Sequence, residues 1–161
     1  ALRAHDGRAG GSRALLARLE AVLGPAQELP GKLYPRADRT AVLASFAPEV
    51  GRCAASDPVA AGILRAAARH IAETAAAVCP RPAAGTAGAA RGTDMALTGG
   101  LTRIGAPLLD PLHRELQLQL PYARLAEARG DPLDGASHVA GALLTDSLRL
   151  PVDDVMLRVI C

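Results

Sequence analysis

Two short stretches hold the residue types that could do chemistry. Asp94-Met95-Ala96-Leu97-Thr98 is an apolar run that ends abruptly in Gly99-Gly100-Leu101. An apolar helical pattern follows, with Leu108, Leu109, Leu112, Leu116 and Leu120. Strand, glycine turn and helix in that order deliver bare backbone to the carboxyl edge of a parallel sheet. A glycine has no Cβ, so a flat ligand such as a purine and its ribose can lie directly on the main chain. Gly99, Gly100 and Leu101 are therefore read as the adenosine end of a nucleotide site. The second stretch is Asp134-Gly135-Ala136, expected to open a helix from about Asp134 or Gly135. Small residues crowd its first turns, and a helix start offers free N–H groups to a ligand. The plainer alternative is a tight strand-to-helix turn at Gly99-Gly100 and a close packing contact at Gly135-Ala136.

Other reactive residue types form no comparable pattern. His5, His70, His113 and His138 contain no His-x-x-x-His pair, so no metal site is expected. Ser56-Asp57 reads as a helix cap, and no Gly-x-Ser-x-Gly elbow accompanies Ser56-Asp57 or Thr145-Asp146. Cys53, Cys79 and Cys161 are far apart and odd in number, which points to neither a zinc site nor a disulfide framework. A reducing cytoplasm is the expected compartment. Arg124 and Arg129, near the expected sheet edge, read as solvated side chains, with a phosphate contact as the alternative.

The elements that must position these stretches follow from the rest of the 161 residues. Hydrophobic residues make up 50% and aromatic residues 2%, so the core must be built from Ala, Leu, Val and Ile in close helix contacts. The net charge of +2 is spread along the chain. Neither a basic stripe nor an aromatic stacking platform for nucleic acid is present. No apolar run approaches the ~18 residues of a membrane span, and Arg3, His5, Asp6 and Arg8 interrupt any signal-like opening.

Ala1 to Asp6 reads as the end of a helix that Gly7 stops, and the chain is expected to be cut from something longer. Ser12 caps a helix over Arg13 to Leu23, which Gly24-Pro25 ends. Pro30-Gly31 reads as a turn and Lys32-Leu33-Tyr34 as a short extended piece. A helix near Ala37 to Leu43 breaks at Ser45-Phe46 and restarts at Ala47 ahead of Pro48. Asp57-Pro58 opens a long Ala-rich helix to about Val78, with Val59, Ile63, Ala67, Ile71 and Val78 as its expected inner stripe. Ala83 to Thr93 reads as a loop. Tyr122 to Glu127 is expected to form a second strand, parallel to the first through a right-handed crossover. The tail from Ser147 to Cys161 has no assigned role.

The order of Asp57-Pro58-Val59-Ala60, Leu97-Thr98-Gly99-Gly100-Leu101 and Asp131-Pro132-Leu133-Asp134-Gly135-Ala136 resembles the carboxyl-terminal half of the N-acetylglucosamine kinases. These belong to the BadF/BadG/BcrA/BcrD-type ATPases, in the superfamily of actin-like ATPases and sugar kinases. Ala1-Leu2-Arg3-Ala4-His5-Asp6-Gly7-Arg8 also resembles the helix that follows a phosphate loop there. The similarity covers about residues 1 to 146 and leaves 147 to 161 outside. It implies an α/β fold, the ribonuclease-H-like carboxyl-terminal lobe, mostly helical with a small parallel sheet. It further implies ATP and Mg²⁺ in the intact enzyme, an amino sugar as acceptor, and an adenosine site at Gly99, Gly100, Leu101, Asp134, Gly135 and Ala136.

The family's Asp-Gly-Gly-Gly-Thr loop and catalytic Asp have no counterpart in this sequence, so no catalytic residue is assigned. Cys53 and Cys79 lack the context of the iron–sulfur cluster carried by relatives that activate dehydratases. A dehydratase-activating ATPase remains one alternative. The other is a helical interaction module, in one form a homodimer, that uses its Ala-rich faces and binds no nucleotide.

Overall fold

The computed structural model describes residues 1–80 and 93–149. The chain divides into two compact units, Ala1–Ala126 and Glu127–Cys161. The described residues are mostly helical, with a parallel sheet of two strands.

The first unit contains α1 (Leu2–His5), α2 (Arg13–Leu23), α3 (Leu29–Leu33), α4 (Arg39–Ala44), α5 (Ala47–Cys53), α6 (Pro58–Val78), β1 (Asp94–Met95), α7 (Ala106–Gln119) and β2 (Arg124–Leu125). Helix α2 starts and stops where its punctuation says it should. The Ser12 hydroxyl accepts from the Leu15 N–H at 2.9 Å, and Gly24 turns the chain with φ 90°. The break at Ser45-Phe46 and the restart at Ala47 are also found. Lys32-Leu33-Tyr34 is not extended. Pro30 and Gly31 lie inside α3, because a proline in the first helical turn gives up no hydrogen bond. Leu29 and Leu33, four residues apart, then face the same core region.

Asp57 caps α6 through the Ala60 N–H at 2.8 Å, and its other oxygen accepts from the buried Ser12 hydroxyl at 2.6 Å. One carboxylate thus ties together the starts of α2 and α6. The Ser12 hydroxyl, followed by the Ala60 N–H, holds the Asp57 carboxyl below its ordinary range. A carboxyl lowered in the folded state contributes stability above its unfolded value and loses it as pH falls through the folded one. Asp57→Ala is therefore expected to lower Tm by on the order of 5 °C. Below about pH 4, wild type should lose stability more steeply than Asp57→Asn, which keeps a capping oxygen but does not titrate. Thermal melts between neutral and acidic pH check both statements.

The main core lies between α6 and α7, where Leu64, Ala68 and Ala72 meet Leu108, Leu112, Leu116 and Leu120. The row from α6 that turns inward is Ala60, Leu64, Ala68 and Ala72. This corrects the expected stripe: Ile63 is 46% exposed and Val78 is 78% exposed. The leucines of α7 recur every fourth residue and supply the bulk, so the best-packed face of α6 is the one with little bulk of its own. Val59, Ala67 and Ile71 sit at the flanks, half-buried.

A buried carboxylate that the sequence does not advertise stiffens the α2–α5 contact. Glu49 is 5% exposed and receives the Arg18 guanidinium at 2.6 Å, with Arg52 on its other oxygen. The Arg18 hydrogen bond keeps its carboxyl below the ordinary range despite the cost of burial.

The parallel pairing of β1 and β2 is as expected, in register Asp94↔Arg124 and Met95↔Leu125. The ladder is shorter than the apolar runs suggest. Arg124 N–H donates to Thr93 O and Ala126 N–H to Met95 O, both at 2.9 Å. Arg124 also grips Asp94 with two hydrogen bonds of 2.9 and 3.1 Å, so this arginine is engaged across the sheet. No helix among the described residues is long and apolar enough to cross a membrane.

The second unit contributes α8 (Pro132–Leu144). None of its residues is buried.

Candidate functional site

Gly99 follows β1 by four residues and has φ 96° and ψ 169°, a conformation essentially confined to glycine. A 3₁₀ turn over Gly100–Ile104 comes next and leads through Gly105 into α7. The Gly99 carbonyl accepts from the Thr102 hydroxyl at 2.7 Å and fixes the bend. Ile104 anchors the far end of the turn against α5. A Cβ on Gly51 would come within 2.7 Å of the Ile104 side chain, so Gly51 is what lets the turn approach that helix.

The result is an exposed stretch of main chain at Gly99 and Gly100, with Leu101 beside it 42% exposed. A Cβ built on Gly99 or Gly100 meets nothing within 4 Å. The two glycines thus differ in kind, since backbone conformation requires the first and the second is a matter of free space. Gly99→Ala is expected to cost about 2 kcal/mol of folding stability through strain. Gly100→Ala should stay within about 0.5 kcal/mol. Urea denaturation of the two variants side by side separates them.

A groove of about 700 Å³ runs along the same edge, between the second half of α6 and the segment around β1. Ile71, Ala75, Val78, Met95 and Leu97 give it an apolar wall, and Thr98 brings it to the glycine bend. Its lining is mostly apolar and ends at Thr98.

In the second unit Asp134, Gly135 and Ala136 lie in the first turns of α8, but they do not open it. The helix begins at Pro132 and Asp131 is its cap. Asp131 Oδ1 accepts from Leu133 N–H at 2.8 Å and Asp134 N–H at 3.0 Å, and Asp134 Oδ2 accepts from Asp131 N–H at 2.9 Å. Gly135 N–H is spent on Asp131 O at 3.1 Å. The reciprocal capping box and the first helical hydrogen bond thus occupy N–H groups expected to be free for a ligand. What remains is a hollow of about 530 Å³ lined by Arg129, Asp131, Asp134, Gly135 and His138. Its polar lining groups are side chains: a guanidinium, an imidazole and two carboxylates. Within this unit Gly135 and Gly141 have open space where a Cβ would stand, so neither is explained by a close packing contact there.

The histidines His5, His70, His113 and His138 are all exposed. Among the described residues no three His, Cys, Asp or Glu side chains gather as metal ligands would. Cys53 is buried and Cys79 half-buried, both as free thiols. Arg18 pairs with Glu49 and Arg124 with Asp94, and neither pair was anticipated from the sequence. Once two parallel strands are drawn, the Asp94 charge falls opposite Arg124. No family model, no curated protein and no solved structure matches the chain.

Proposed function

We propose that this chain is the nucleotide-side, carboxyl-terminal lobe of an ATP-dependent sugar kinase that acts on an amino sugar such as N-acetylglucosamine. The observation that carries the reading is the β1–glycine bend–α7–β2 unit. Two parallel strands joined through a helix place an exposed, side-chain-free bend at Gly99-Gly100 beside an apolar groove. Adenine and ribose lie against Gly99, Gly100 and Leu101 in this reading, and Asp134, Gly135 and Ala136, in the second unit, are nucleotide contacts by the resemblance alone. With the first N–H groups of α8 already occupied, any contact these residues make with a ligand would be through shape and side chains. In the intact, cytoplasmic enzyme Mg²⁺ bridges the ATP phosphates, and catalysis rests on positioning and charge stabilisation. This chain supplies no catalytic residue and by itself phosphorylates no sugar.

Titration calorimetry with ADP tests the proposal. Wild type should release heat that Gly100→Val abolishes. That variant is informative because Gly100 does not have a positive φ and has open space around it, so valine blocks the ligand without unfolding the turn. Absence of heat at millimolar ADP, or equal heat from both proteins, overturns the assignment.

A second reading is favoured by α8. It buries no residue, and Leu133 and Leu144 are 74% and 90% exposed. An apolar helix so placed suits a helical interaction module that pairs with itself. Sedimentation of a dimer that Leu133→Asp dissociates, with no response to ADP, supports this reading over the first. The dehydratase-activating ATPase would share the same nucleotide wall. Its amino-terminal lobe would decide the substrate.

A further inference from the structure

We draw no further inference here: the strongest candidate, the leucine-lined groove of about 320 Å³ between α2, α3 and α4, carries nothing because nothing in the structure shows what covers it.

Discussion

Ala68→Leu is expected to lower the unfolding free energy by about 3 kcal/mol, a large effect for adding apolar atoms. Ala68 has 0% of its surface exposed and sits in the row of α6 that faces the leucines of α7. The contact is already filled, so three more carbons must push the helices apart or force side chains out of their preferred rotamers. Ile63→Ala, by contrast, removes a larger side chain at a cost below about 1 kcal/mol, because nearly half of Ile63 is already in water. Urea denaturation gives both values, provided the slope with denaturant stays unchanged. A harmless Ala68→Leu together with a costly Ile63→Ala would place the Val59, Ile63, Ala67 and Ile71 row inward instead.

Those two positions separate what α6 shows in its own sequence from what its partner helix imposes. The ends of α6 are local events: Asp57 caps it, Pro58 occupies the first turn, and each can be read from its own neighbours. The buried face is not local. A single helix read by hydropathy turns its largest apolar residues inward. Here the partner brings a leucine every fourth residue, and the alanine row accommodates them. The sequence does display both halves of this fit, but the choice of partner comes from the tertiary structure. Glu49 shows the same limit more sharply, since no feature near it announces Arg18, thirty-one residues earlier, as its counter-ion.

The candidate site divides along similar lines. A tight turn that requires glycine at position 99 was legible as the plainer of the two readings of Gly99-Gly100. The length of the ladder was not, since strand pairing depends on what the neighbouring segment offers. The start of α8 could have been read correctly. Asp131-Pro132 repeats the Asp57-Pro58 signal, and an acidic residue three positions after the cap completes the box. The same rule applied twice would have assigned the N–H groups to the helix itself.

Leu112→Ala should cost about 3 kcal/mol, and its consequences should reach the glycine bend. Leu112 is 2% exposed in the core that also receives Met95, Leu97 and Ile104, so the residues on either side of Gly99 rest on the same packing. Removing its branched end leaves a cavity that helices locked by neighbouring leucines cannot close. Leu118, on the opposite side of α7 and 77% exposed, is the control, and Leu118→Ala should change stability by less than about 0.5 kcal/mol. If the sheet and the two helices open together, amide exchange at Arg124 and Ala126, which hold the ladder, accelerates roughly a hundredfold in Leu112→Ala. Loss of stability without faster exchange at those amides would mean that the strands open separately from the helical core. The bend at Gly99 would then be held by its own turn alone, and the α6–α7 packing could not be what keeps it in shape.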